Sequence, residues 1–455
     1  MEQTDPIRET LIYRLVLVSG DSQSIMTEDS RSAKCLLRIR IPKWVRAARE
    51  IQKAIQLQWK LPSIIIDFLN DHPGSPICLA KLLSSHVPPG LLAMPVKQLD
   101  ASELTDLEYR TVTAILADDA GQRGPFSRIG WIDEATEWIR ESIAPEGLLA
   151  GQIEQHNASA TFALVRFGLQ GGRACWLKAT GEPNRHEFSI TSALAKICPK
   201  YLPPVIAQRD DWNAWLMRDA GEALDQSSRA DRWKASVVTM ADLQGQTCGH
   251  TDGLLSAGAG DHRTTILQHH IAELISYVDE AMERQTSAKV QRIGTRRLRE
   301  IETIFQEACA AIQDLGLPDT IIHGDANSGN VLFRGDTCVF TDWCEAYVGN
   351  PFVTLQHLVM SAKRSGGQTE ARILGLKKAY GRRWADSLSE RQVQQALALS
   401  PLLAVVSHLY GRADWLRSSR RHEPHVESYA RSLARQMDRE SQNPQLLEAL
   451  CTQAL

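Results

Sequence analysis

Through the first half of the chain apolar residues fall in short runs bounded by turn formers. Through most of the second half they recur at helical spacing, so the pattern predicts a chain that is strand-rich early and helical late. Residues 11–18, 36–41, 64–69 and 77–83 read as strands, and residues 44–59 carry the spacing of an amphipathic helix. The stretch ADDAGQRGPFSR, residues 117–128, is dense in turn formers and is placed as the end of this first α+β region. Beyond it, residues 131–143 read as a helix with Asp133 as its N-cap and Pro145-Glu146-Gly147 as its stop. Residues 153–178 then read as a strand, a loop and two further strands, with turns at Asn157-Ala158-Ser159 and Gln170-Gly171-Gly172.

Helical spacing resumes at residues 232–249, 264–282 and 296–315, with a glycine-rich break at 253–261. Near the end, residues 352–361, 370–384, 390–415 with a bend at Pro401, and 424–439 form an all-helical tail. Between these helical regions two apolar runs, 330–333 and 338–341, flank Arg334-Gly335-Asp336-Thr337 and predict a β-hairpin.

Composition narrows the class. At 455 residues the chain is expected to hold two to four folding units, placed here at 1–128, 129–221 and 222–455. A hydrophobic fraction of 43% and a charged fraction of 23% are those of a globular protein with a sizeable core. The net charge of -3 gives no electrostatic case for a nucleic-acid partner. The N-terminus lacks the basic-then-apolar order of a signal peptide, and the longest apolar stretch, 396–410, is interrupted by Ser400, Pro401, Ser407 and His408. A cytoplasmic protein without a membrane partner is therefore expected. Nine cysteines without a C-x-x-C argue against both a disulfide framework and a zinc site. Cys175, Cys338 and Cys344 read as packing.

The candidate chemistry lies at the ends of the hairpin. His323, Gly324 and Asp325 precede it, Asn330 opens it, and Asp342 and Trp343 follow it. A carboxylate, an amide oxygen five positions on and a second carboxylate across the hairpin are the hard oxygen groups of Mg2+-phosphate chemistry. The plainer reading is a surface hairpin whose Asp and Asn make turns. Upstream, Lys178 sits inside the apolar run ACWLKAT, where a lysine is either an edge residue with a solvated head or a cation held for a phosphate.

The order H-G-D-x4-N, then D-W, then G-N-P resembles the aminoglycoside phosphotransferase and choline kinase family, over roughly residues 130–440. That resemblance implies an α+β, protein-kinase-like fold of two lobes, preceded here by a small α+β domain of unknown function. It implies Asp325 as the catalytic residue that orients an acceptor hydroxyl, and Asn330 and Asp342 as Mg2+ ligands. It also implies that Lys178 pairs with Glu187, nine residues on at the head of a helical stretch, and so meets the phosphates of ATP. Glu182, in the intervening turn, is a rival partner. Residues 203–206 and 215–217 look like the last two strands of the nucleotide lobe, with backbone near Met217 to Asp219 facing the adenine edge. No G-x-G-x-x-G precedes Lys178, so HNASAT, residues 156–161, would cover the phosphates through Ser159, Thr161 and backbone N–H groups.

The expected activity is ATP- and Mg2+-dependent transfer to the hydroxyl of a small molecule. The alternative is a non-catalytic protein that binds nucleotide or ligand on the same scaffold. In the family the tail helices form the acceptor pocket, which makes Trp384, His408, Tyr410, Asp414 and Trp415 candidates. The basic stretch 412–425 weighs against a polycationic acceptor. In the first region, AAREIQKAIQL faintly resembles the Nudix helix, but Lys53 and Ala54 stand where its metal carboxylates belong, so at most a degenerate relative is implied.

Overall fold

The computed structural model describes residues 9–22, 24–28, 34–43, 45–69, 75–119, 123–144, 147–226, 231–365, 369–411 and 419–451. The chain divides into two compact units, Met1–Phe188 with Pro204–Asp219, and Ser189–Pro203 with Ala220–Leu455. The class is mixed α+β, as expected.

The first unit holds two sheets. In the first, β1 (Thr10–Val18) is central and pairs with β2 (Ile25–Glu28), β3 (Leu37–Pro42) and, in parallel, β5 (Ile77–Leu82); β4 (Ser63–Leu69) and β6 (Leu91–Met94) complete six strands. Period-two alternation sends Val16, Val18, Ile64 and Leu79 to one face and Leu15, Leu17, Ile65 and Ala80 to the other, and both faces are buried. Helix α1 (Ala47–Trp59) covers the second face with Ala48, Ile51 and Ile55. Its Glu50 pairs with Lys53 at 2.9 Å, and Ala54 packs on the core, so α1 is an amphipathic helix and the Nudix likeness finds no support.

The first face meets α2 (Asp106–Leu116) and α3 (Trp131–Ile143). A capping box between Thr105 and Glu108 starts α2. Helix α3 has the expected bounds, but its N-cap is Gly130; Asp133 lies one turn in, where it takes the Lys81 ammonium at 2.7 Å.

The second sheet of this unit runs in the order β10 (Val205–Arg209), β11 (Ala214–Arg218), β9 (Ala174–Ala179), β8 (Ala163–Leu169), β7 (Leu149–Ala158), all antiparallel. Cys175, Leu177, Ala179, Val165 and Phe167 point from it into the same core as α3. Of the turn-rich stretch 117–128, the end is packed: Phe126 is 1% exposed, edge-on to Trp131 and Trp212. Residues 145–146 of the expected helix stop lie outside the described residues.

The second unit is mainly helical. Helices α5 (Asp231–Thr247), α7 (Thr264–Glu283), α8 (Thr295–Asp314), α9 (Phe352–Arg364), α10 (Glu370–Gly381) and α11 (Glu390–Tyr410) share one core with the last helices, Pro424–Ser441 and Pro444–Cys451. The glycine-rich break proves structured, with a short helix Thr251–Ser256 and a strand Gly260–His262. Helix α11 is long and apolar enough to cross a membrane, yet two-thirds of it (67%) is buried inside the unit. Pro401 sits within α11. The hairpin strands, Val331–Arg334 and Thr337–Phe340, close on the two-residue turn Gly335-Asp336, with Gly335 at φ 60°, and the short strand Glu222–Ala223 joins their edge. None of the nine cysteines is in a disulfide.

Candidate active site

In the first unit, antiparallel pairing decides which side chains share a face. Residues opposite one another point the same way, so Leu164, Lys178 and Trp215 form one row and Arg166, Trp176 and Met217 the next. These are the positions that alternate with the core residues Cys175, Leu177 and Ala179. Lys178 is 4% exposed, and its Nζ meets Glu187 Oε1 at 2.6 Å, at the first turn of α4 (Glu187–Ile197). A buried ammonium is tolerable only against a carboxylate held in place, which a helix residue supplies and the Glu182 turn does not. The Lys178 ammonium also lies 5.9 Å from the Trp215 ring centroid.

The other nucleotide candidates are placed as follows. Ser159 makes a tight turn, its N–H donating to Phe162 O at 2.9 Å and its Oγ accepting from Phe162 N–H at 3.1 Å. Met217 is buried, with Sδ 3.1 Å from Trp215 Nε1. Asp219 accepts at Oδ1 from the indole N–H of Trp176 at 3.2 Å, and Arg166 lies 3.8 Å from its other oxygen. The N–H groups of Arg218 and Asp219 donate to Pro204 O and Ala174 O at 2.9 and 3.2 Å, so a base edge at this strand end is left to other groups.

In the second unit the loop before the hairpin is wound around Asp325. The Asp325 N–H donates to His323 O, Asn327 Nδ2 donates to Asp325 Oδ2 at 2.8 Å, and Asn330 Nδ2 donates to Asp325 O and Oδ2 at 2.9 and 3.0 Å. One oxygen of the half-buried carboxylate is thereby fixed by two amides. Asn330 spends its amino group in this way, which leaves its Oδ1, a hard ligand, turned from Asp325. Asp342 holds φ 69°, a left-handed backbone rare for a residue with a side chain. Asn330, held by Asp325, and Asp342, on a constrained backbone, each offer an oxygen donor of the kind a hard cation takes.

Two further residues hold this loop. His323 is fully buried; its Nε2 donates to Thr341 O at 2.9 Å, tying the Asp325 loop to the residue before Asp342, while the ring lies 4.5 Å from that of Trp343. Burial pushes its pKa down, against the pull of the Asp325 and Asp342 carboxylates, so the ring is a neutral latch. Gly324 has φ 75°, and a Cβ there would overlap the Glu345 carbonyl. Sequence reasoning passes over Asn327, although the Asp-x-Asn spacing of an Asx turn signals it.

Of the acceptor candidates, Trp384 is core, 6.2 Å from Phe352 and 6.3 Å from Tyr380 ring to ring. His408 lies 5.5 Å from His357, and Tyr410 lies near His262 and His270 at 5.0 and 5.2 Å. Asp414 and Trp415 lie outside the described residues.

With this geometry in hand, comparison with known proteins is informative. Residues 201–391 match the phosphotransferase enzyme family. The matched stretch, less than half of the chain, carries Asp325, Asn330 and Asp342 and begins after Lys178 and Glu187. The Lys178–Glu187 pair therefore stands on its own geometry beside the family match. Solved structures that match include the choline/ethanolamine kinase family protein from Mesorhizobium loti, 14% identical, covering 70% of this chain and 98% of that chain, TM-score 0.45. They include choline kinase from Cryptosporidium parvum Iowa II, 11% identical, covering 71% and 97%, TM-score 0.46. A third is macrolide 2'-phosphotransferase from Brachybacterium faecium, 14% identical, covering 66% and 98%, TM-score 0.43. No curated protein matches the chain.

Proposed function

We propose that the chain is an ATP- and Mg2+-dependent phosphotransferase acting on a hydroxyl group of a small molecule. The observation that carries this is the fixed Asp325 carboxylate, one oxygen taken by Asn327 and Asn330, within a segment matching a phosphotransferase family. A carboxylate so held keeps one oxygen in place to align a hydroxyl and accept its proton, and alignment is the larger part of phosphate-transfer catalysis. Asn330 and Asp342 would hold Mg2+, which when bound neutralises phosphate oxygens. Lys178, oriented by Glu187, does the same for other phosphate oxygens. Ser159, with the loop 156–161, covers the phosphates, and the strand end at Met217 and Asp219 borders the base.

On this reading residues 129–221 bind the nucleotide and residues 222–455 carry out the transfer. A cytoplasmic site of action accords with ATP as donor and with nine cysteines outside any disulfide. The test is Asp325→Asn. Loss of the proton acceptor lowers turnover on the order of 10²–10⁴-fold, read as ADP release over a panel of small alcohols, while calorimetry still shows Mg2+-ATP binding. Retained turnover in that variant sinks the assignment of Asp325. Binding without any turnover in the wild type favours the regulatory scaffold instead.

A further inference from the structure

The first 128 residues are tied to one particular part of the nucleotide sheet, the loop 156–161 formed by the last residues of β7, 156–158, and the turn that follows them. Before this loop, Gln155 is buried, and its side-chain amide donates to Ile65 O at 2.8 Å and accepts from Ile65 N–H at 2.6 Å. It thereby occupies the outward edge of β4 as another strand would. Gln52 of α1 adds to the tie: its amide donates to Ser63 O and Ile153 O at 2.7 and 3.2 Å and accepts from Gln155 N–H at 2.9 Å.

Within the loop, Ala158 packs into the core on the α1 side of the six-stranded sheet. Ala160 O accepts from Phe126 N–H at 3.1 Å. Gly124, at φ 140°, passes so close that a Cβ there would overlap Ala160 O and crowd Thr161, and Gly181 crowds Thr161 from another side. The segment carrying Gly124 and Phe126 is in turn fixed to β4, because buried Asp67 takes Arg123 Nη2 at 2.7 Å and Ser127 Oγ at 2.5 Å. Asp67 and Ile65 flank the irregularity in the pairing of β4 with β5, so one strand anchors both sides of the loop.

We propose that residues 1–128 act as a clamp that holds loop 156–161 in its nucleotide-binding form, with Gly124, Phe126, Gln52 and Gln155 as positioning residues. This rests on the reading of that loop as the phosphate cover. A loop HNASAT has no glycine to let its backbone fold over phosphates at will. Holding it in place beforehand removes the ordering entropy that a mobile loop would lose on binding. Burial first, and then Arg49, Arg46 and Lys53 on and just before helix α1, lower the pKa of His156, so the clamp adds positive charge at the start of the loop.

Two full-length variants test the clamp. Gly124→Ala forces residue 124 away from Ala160, and Gln52→Ala, at a half-buried site, removes the ties to β7 while sparing the core. Both are expected to speed amide exchange at 156–162 in the nucleotide-free protein. Both are also expected to weaken Mg2+-ATP binding and raise its KM about tenfold, roughly the ordering of one residue, with kcat within about twofold. In Gln52→Ala the unfolding temperature, which a merely structural role would move, should stay near the wild-type value. Unchanged exchange at 156–162 in Gly124→Ala overturns the proposal, and so does faster exchange with unaltered nucleotide affinity. If the wild type binds no nucleotide, the phosphotransferase reading fails, and the clamp is judged on the exchange arm alone.

Discussion

The two sheets of the first unit are built from similar strands and put to different uses. Along β1 and β5 every residue from Leu15 to Val18 and from Ile77 to Leu82 is buried, and successive residues enter apolar cores on opposite faces. Along β9 Cys175, Leu177 and Ala179 enter the core, while Trp176 and Lys178 point to the opposite face, where Glu187 and Phe188 at the start of α4 meet Lys178 and Trp215. The six-stranded sheet holds its buried charged residues against fixed partners, Arg14 against Glu108, Asp67 against Arg123 and Lys81 against Asp133. The second sheet holds Lys178 against Glu187 on the face turned from the core.

Each sheet contains a buried ion pair, and the pairs should separate by what their removal costs. Replacing both members of the Lys178–Glu187 pair, as Lys178→Met with Glu187→Leu, removes both of its charges together. Stability should hold or rise, because paired buried charges barely repay their desolvation, while ADP release falls on the order of 10²–10³-fold for the lost phosphate donor. A parallel fall in stability and turnover would reduce Lys178 to a structural residue.

The opposite split is expected at Arg14. Its guanidinium takes both carboxylate oxygens of Glu108, at 2.5 and 3.2 Å, and donates to Ser75 O and Glu103 O as well. Arg14→Met strands the Glu108 carboxylate and should cost about 3–5 kcal/mol, seen in urea unfolding, with the KM for ATP of the folded fraction unchanged. An altered KM at full stability would give the six-stranded sheet a part in nucleotide binding beyond holding its neighbour.

The contrast between the sheets was legible in the chain only where it is local. The run ACWLKAT predicts β9 at Ala174–Ala179, because alternation with a lysine at an outward position survives in the sequence. The four-residue strands Ile25–Glu28 and Leu91–Met94 escape notice because they are too short to show a period. The capping box Thr105–Glu108 does announce α2, yet that signal is easily lost beside a turn-rich stretch. Residues 117–128 look like a linker for the same compositional reason that suits them to buckle tightly, and the partner that distinguishes the two cases, Asp67, is remote in sequence. At the catalytic loop the order of His323, Asp325, Asn330 and Asp342 is visible. The need for glycine at 324 is not, since it depends on the Glu345 carbonyl arriving from beyond the hairpin.

The smallest expected effect is a pH dependence confined to the face that carries Lys178. His156 lies 4.8 Å from Trp176, ring to ring, and its pKa is lowered from 6.5 to about 4, by burial first and then by Arg49, Arg46, Arg166 and Lys53. Folded, the ring stays neutral down to about pH 4, whereas in the unfolded chain it takes up a proton below about 6.5. Its contribution to stability is therefore complete above pH 6.5, declines as the pH falls from 6.5 to about 4, and changes no further below that. In the six-stranded sheet burial works against the Glu108 charge, but the Arg14 and Thr105 hydrogen bonds outweigh it and hold its pKa below 4.5, so its loss begins only below that value. His156→Phe should consequently flatten the fall in unfolding temperature between pH 6.5 and 4.5 and leave the steeper loss at lower pH in place. His262 in the second unit, held at about 3 chiefly by burial, adds a slope of the same sign to wild type and variant alike. The quantity to measure is thus the difference between the two profiles, and a difference that is flat over pH 6.5 to 4.5 would mean that neither burial nor the nearby cations lower the pKa of His156.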